Sequence, residues 1–195
     1  MPKTESNRIV LGTQAADFKL PDSKGHIVEL SSFAQKPALL VAFISNRCPF
    51  VVLIRDALAQ FGRDYAPQGL QIIAINSNDA DNHPEESVAR IGEEVANFGY
   101  SFPYLKDGSQ EVAKAYGAAC TPDLFLFDAD RRLVYHGQFD DARPGNGKPV
   151  TGADLRAAAD AVLSGKAPLP NQVASIGCNI KWIEGNQPSS LSNAA

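Results

Sequence analysis

Cysteine is scarce in this chain: only Cys48, Cys120 and Cys178 occur among its 195 residues. An odd number at wide spacing makes no disulfide framework, so a reducing compartment, with cysteine kept for chemistry, is expected. Extended apolar stretches are lacking too. The longest, Ala38 to Ile44, is far too short to span a bilayer. Met1 to Arg8 contains nothing like the apolar centre of a signal peptide, and the expected location is the cytoplasm. Neither sign of charge is concentrated. With 18 basic against 22 acidic residues the net charge is −4, and no basic block offers a surface to nucleic acid or membrane. The histidines, His26, His83 and His136, show no ligand spacing, so no metal is expected. Phosphate motifs fail as well. Gly145-Asn146-Gly147-Lys148 is followed by Pro149 where Ser or Thr is needed, and no G-x-G-x-x-G follows the Leu70–Ile75 segment. No cofactor is expected.

What is present is an ordinary globular composition, 44% hydrophobic and 21% charged, in a chain long enough for one domain with a sizeable core. Residues 17–20 and 26–30 flank a turn-forming Pro21–Gly25 and predict a β-hairpin. Ala38–Ile44 and Leu70–Asn76 read as strands buried on both faces. Helices are predicted from Cys48 to Tyr65, from about Pro84 to Asn97, from Gln110 to Tyr116, and from about Gly152 to Leu163. Glu85 and Glu86 suit the first turn of the second of these, where the helix dipole favours acids. Pro103–Lys106 predicts a short strand, and Asp123–Phe127 with Leu133–His136 a second hairpin. The order predicts an α/β fold, a mixed central sheet with helices on both faces. Residues 1–11 precede the domain, residues 12–183 form it, and a disordered tail is expected over 184–195.

The stretch around Cys48 says most about function. A buried strand runs into Ser45-Asn46-Arg47-Cys48-Pro49 and on into an amphipathic helix, so Cys48 falls at the start of that helix. Unpaired N–H groups and a partial positive charge at a helix N-terminus favour a thiolate. Arg47 pushes the same way if its side chain turns inward. Pro49 suits an early helical position, where its missing N–H is not needed. The ordinary alternative is an inert, buried cysteine.

Cys48, together with Cys120-Thr121-Pro122 before the Asp123 strand, resembles the thioredoxin fold. The opening Gly12-to-Leu20 segment, the Asp140–Lys148 loop and Ser175–Trp182 narrow the resemblance to the peroxiredoxin-like branch of the alkyl hydroperoxide reductase/thiol-specific antioxidant (AhpC/TSA) superfamily. It covers Gly12 to Trp182. It implies a thioredoxin-like fold with an N-terminal hairpin and a C-terminal loop extension, and a cis Thr121–Pro122 peptide. Thioredoxins carry Cys-x-x-Cys, whereas Ser45-Asn46-Arg47-Cys48 follows the Ser/Thr-x-x-Cys pattern of peroxiredoxins. The peroxiredoxin proline before that hydroxyl is replaced by Val41, and the arginine expected near the Asp123 strand is missing.

The resemblance implies two functions. In the first, Cys48 reduces a peroxide and is returned by an external thiol, thioredoxin-like or glutathione. Ser45 donates to the thiolate, Asn46 and Arg47 help hold substrate oxygens, and Thr121 and Pro122 shape the pocket wall. In the second, the chain is a redox-sensing binding module, or a weak thiol-disulfide oxidoreductase acting on a disulfide, with the Thr121 edge open to a partner. Cys120 is the candidate to resolve an oxidised Cys48, or a bystander on the same rim. Cys178, in a loop after the last helix, reads as packing, or as part of a segment that returns across the site. Monomer and homodimer are both open.

Overall fold

Strand β4 (Ala38–Phe43) is buried along its whole length because packed layers cover both of its faces. Its side chains alternate between them. Leu40 and Ala42 join one core cluster with Val51, Ile54, Leu58 and Phe61 of α1 (Pro49–Tyr65), Ile91 of α2 (Val88–Phe98), and Leu155 and Ala158 of α4 (Ala153–Leu163). Leu39, Val41 and Phe43 join the other, with Val112 and Tyr116 of α3 (Glu111–Tyr116), with Leu20 of the N-terminal hairpin and with Phe18 just before it. The structure, a computed structural model, describes residues 3–188.

The hairpin pairs β2 (Lys19–Pro21) with β3 (Ile27–Glu29). The central sheet has the order β6-β5-β4-β8-β9, where β5 is Leu70–Asn76, β6 Tyr104–Lys106, β8 Asp123–Phe127 and β9 Leu133–His136. β5 runs parallel to β4 and β6, while β8 is antiparallel to β4 and β9. Parallel neighbours at the centre bring the carboxyl ends of β4 and β5 to one edge, and the site forms there.

Two features differ from expectation. The helix predicted from Pro84 is broken into a 3-10 turn, Pro84–Glu86, followed by an extended Ser87 (φ −70°, ψ 159°). The break lets Glu86 turn inward, where it is fully buried. Within the C-terminal extension, residues expected as loop form a strand, β10 (Ile176–Asn179). It lies between β1 (Lys3–Glu5) and β7 (Cys120–Thr121) in a three-stranded sheet. The Asp140–Lys148 loop is tied down by one carboxylate: Asp140 accepts the N–H groups of Ala142, Thr151 and Gly152 at 2.6 to 3.0 Å.

Of the tail expected to be disordered, residues 189–195 lie outside the described residues. Asn186 donates to Ser109 O and Gln110 Oε1 at 3.0 and 2.9 Å. Among the described residues, no helix is long and apolar enough to cross a membrane.

Burial holds several weak acids protonated. It pushes Tyr65 up to about 12 and raises Tyr100, Tyr116 and Tyr135 further. In the unfolded chain these phenols ionise near their ordinary value of about 10. Above that pH the unfolded state sheds protons that the folded state keeps, so their contribution is whole below about pH 9 and fades as pH rises toward 12. Thermal unfolding followed by circular dichroism is expected to give a Tm that holds to about pH 9 and then falls. A Tm unchanged at pH 11 would contradict the buried placement of these tyrosines.

Candidate functional site

Cys48 is the N-cap of α1, with Pro49 as the first helical residue. The N–H groups of Val51 and Val52 both close on Cys48 O at 2.9 Å, which sets the first turn. The turn before it is organised by Ser45, whose Oγ accepts from Cys48 N at 3.2 Å and Arg47 N at 3.3 Å. Its own proton goes to Glu86 Oε1 at 2.6 Å. The expected donation from Ser45 to the sulfur is therefore not made, and Ser45 instead shapes the loop that carries Cys48.

Glu86 anchors a buried polar network under that loop. Its Oε2 accepts from Asn46 N at 3.1 Å and Asn76 Nδ2 at 2.6 Å. Tyr104 Oη donates to Asn46 Oδ1 at 2.9 Å and accepts from Asn76 at 3.2 Å. Lys106 Nζ donates to Asn76 Oδ1, Asn78 O and Glu86 O at 3.1, 2.6 and 3.0 Å. Burial lowers the Lys106 pKa, opposed by the charge of Glu86. The Arg47 side chain is not part of this network. Its guanidinium pairs with Glu85 at 3.0 Å and meets His83 at 3.2 Å, so it faces outward.

The Cys48 thiol points across to β7, where its S–H donates to Thr121 O at 3.0 Å. The Thr121–Pro122 peptide is cis, as expected. Thr121 Oγ1 is buried with no hydrogen-bond partner among the described residues. The Thr121 edge, expected to be open, is covered: β10 pairs Cys178 with Thr121 and Asn179 with Cys120. Gly177 permits this approach, since a Cβ there would lie 1.9 Å from Thr121 O.

The thiol that shares a crevice and a core cluster with Cys48 is Cys178. Burial first, then Cys48, pushes the Cys178 thiol up to about 12, opposed by Lys181. Cys120 is fully buried and turns its sulfur to Pro122 O at 3.5 Å. Burial, followed by the Asp123 charge, raises its pKa well above the ordinary cysteine value. Lys181 Nζ donates to Asn179 O and Oδ1 at 2.7 and 2.8 Å, and burial lowers its pKa against the opposing pull of Cys178 and Cys48. A crevice of about 10 Å³ remains between Arg47, Cys48, Thr121, Cys178 and Lys181. Among the described residues no three His, Cys, Asp or Glu side chains cluster so as to hold a metal ion.

Residues 11–136 match the AhpC/TSA family. The chain belongs to that family. A curated relative, the thiol-disulfide oxidoreductase ResA of Geobacillus kaustophilus, is 31% identical over 125 residues, 64% of this chain and 67% of that one. A crystal structure of a hypothetical protein from Sinorhizobium meliloti 1021 is 71% identical. It superposes with a TM-score of 0.93 over 93% of this chain and 100% of its own. The thiol:disulfide interchange protein DsbE of Chlorobium tepidum, at 22% identity, shares the fold with a TM-score of 0.62, covering 80% of this chain and 99% of that one. The AhpC/TSA chain described here is thus a thiol-based redox protein with a thioredoxin fold.

Sequence reasoning missed Glu86, Asn76, Tyr104, Lys106 and Lys181, which reach the site from β5, β6, the Pro84 turn and the C-terminal segment. For Cys178 a signal existed. Ile176, Cys178 and Ile180 alternate with period two, as a strand requires, and Gly177 between them marks close backbone approach.

Glu86 generates the first mutational expectation. Replacing Glu86 by Ala removes the acceptor of three hydrogen bonds, from Ser45 Oγ, Asn46 N and Asn76 Nδ2, each worth about 1–3 kcal/mol to a charged group, and should destabilise the fold by about 3 kcal/mol or more. Glu85→Ala removes only a surface ion pair and should cost about 1 kcal/mol or less. Urea denaturation of both variants checks the contrast; equal small losses would mean that Glu86 does not anchor the loop.

Proposed function

We propose that this chain is a thiol-disulfide oxidoreductase in which Cys48 is the nucleophile. The reading is carried by one observation: the Cys48 sulfur, at the N-cap of α1, meets the backbone carbonyl of Thr121 beside a cis-proline at 3.0 Å. Oriented N–H groups at the helix start favour negative charge on sulfur as it attacks. The name of the Geobacillus kaustophilus relative supports disulfide chemistry. Cys48 attacks one sulfur of the substrate disulfide, a Cys48–substrate bond forms, and the second substrate sulfur leaves as a thiolate. Ser45 and Glu86 hold the loop in place, and a cytoplasmic thiol pool supplies the reductant.

The narrow crevice favours a second reading, reduction of a small peroxide. Cys48 takes one peroxide oxygen to become a sulfenic acid, and the other oxygen leaves as water or alcohol.

Stopped-flow mixing of the reduced protein with bis(2-hydroxyethyl) disulfide, and separately with hydrogen peroxide, tests both. Disulfide consumption by the wild type and background consumption by Cys48→Ser is the expected outcome. Equal rates for the two proteins would end the nucleophile assignment. Reaction of Cys48 with peroxide alone would replace the first reading by the second.

A further inference from the structure

We propose that Cys178 is the resolving residue of this site, closing a disulfide between the N-cap of α1 and strand β10 after each reaction at Cys48. The proposal rests on Cys48 being the reactive thiol. Ser45 stands where a Cys-x-x-Cys protein carries its other sulfur, so an intermediate on Cys48 finds no thiol in its own loop. The remaining two cysteines are unequal. Cys120 is sealed and turned to Pro122 O. Cys178 lines the same narrow crevice as Cys48 and stands opposite Thr121, the residue whose carbonyl accepts the Cys48 thiol.

The placement is held from several sides. Lys3, Thr4 and Glu5 pair with Cys178, Gly177 and Ile176 along one edge of β10. On the other, Ile180 N donates to Ala119 O at 3.2 Å. Just beyond, Lys181 N donates to Asn78 Oδ1 at 2.8 Å and Lys181 O accepts from Asp79 N at 2.8 Å. Gly177 allows the contact with Thr121, because any Cβ would strike its carbonyl. A cysteine fixed in the same crevice as a second thiol is placed for a disulfide between the two. Lys181, which lines the same crevice, supplies positive charge where a thiolate develops.

The chemistry balances. Starting from the mixed disulfide, the Cys178 sulfur attacks the Cys48 sulfur, the Cys48–Cys178 bond forms, and the Cys48–substrate bond breaks. The substrate sulfur leaves with the bonding pair and takes up the proton given up by Cys178. Two protein thiols are oxidised and one substrate disulfide becomes two thiols. From a sulfenic acid, the same attack expels hydroxide, which takes the proton and leaves as water. An external dithiol, oxidised in turn to its disulfide, returns both cysteines to thiols.

The test oxidises the reduced full chain with bis(2-hydroxyethyl) disulfide, blocks free thiols, and maps linkages by mass spectrometry of a non-reduced digest. The wild type should give a Cys48–Cys178 linked peptide, with Cys120 blocked as a free thiol. Cys178→Ser should stop at a mercaptoethanol adduct on Cys48, and Cys120→Ser should still form the linkage. The wild-type linkage map stands by itself if Cys178→Ser fails to fold. A lasting adduct on Cys48 in the wild type, or a Cys48–Cys120 linkage, would overturn the role of Cys178 while leaving Cys48 as the nucleophile. An unmodified Cys48 would overturn both.

Discussion

The geometry at Cys48 depends on one buried carboxylate. Glu86 accepts from Ser45 Oγ, Asn46 N and Asn76 Nδ2, and so joins the end of β4, the end of β5 and the turn before α2 at one point. A buried carboxylate is costly unless its oxygens are fully engaged. These donors engage it, and the chain breaks its second helix at Ser87 to bring it there. Once Ser45 is held by Glu86, its lone pairs receive Arg47 N and Cys48 N. The turn is then set, and the Cys48 sulfur is aimed at Thr121. Removing the carboxylate would release the loop before it touched the sulfur.

That dependence separates what the sequence reveals from what it hides. The sheet and helices are legible because Ala38–Phe43 and Leu70–Asn76 are continuous apolar runs, and because Val51, Ile54, Leu58 and Phe61 repeat at helical spacing. The start of α1 is legible from Cys48-Pro49, and the cis Thr121–Pro122 peptide from the resemblance. Glu86 is not legible: an acid after a proline at a helix start looks like a dipole partner, and only tertiary packing turns it inward. Arg47 misleads in the other direction. Its proximity in sequence suggests help for the sulfur, yet Glu85 holds its charge at the surface. Strand β10 is hard to read because the alternation of Ile176, Cys178 and Ile180 is short and follows a proline-rich loop, and its partners lie far off at residues 3–5 and 120–121.

β10 also reshapes the functional reading. An open edge at Thr121 would let an extended partner pair with the backbone beside the reactive sulfur, a form of strand addition. Here the chain fills that edge with its own cysteine-bearing segment. Beside Cys48 there remains only a narrow crevice, and β10 lies along the edge at which an extended partner would pair. Substitution of Ser45 for the first sulfur of a Cys-x-x-Cys motif therefore does not by itself leave Cys48 without a thiol partner. A second sulfur is present from another part of the chain.

Whether Cys48 and Cys178 act as one redox couple is decided most directly by a redox titration. The protein is equilibrated in dithiothreitol buffers of graded potential and its free thiols are counted by mass after alkylation. Two thiols disappearing together along a single two-electron curve, about 30 mV per tenfold change in the ratio, with the third thiol still free, is the expected result. Three thiols free across the whole range, or a pair that includes Cys120, would contradict it.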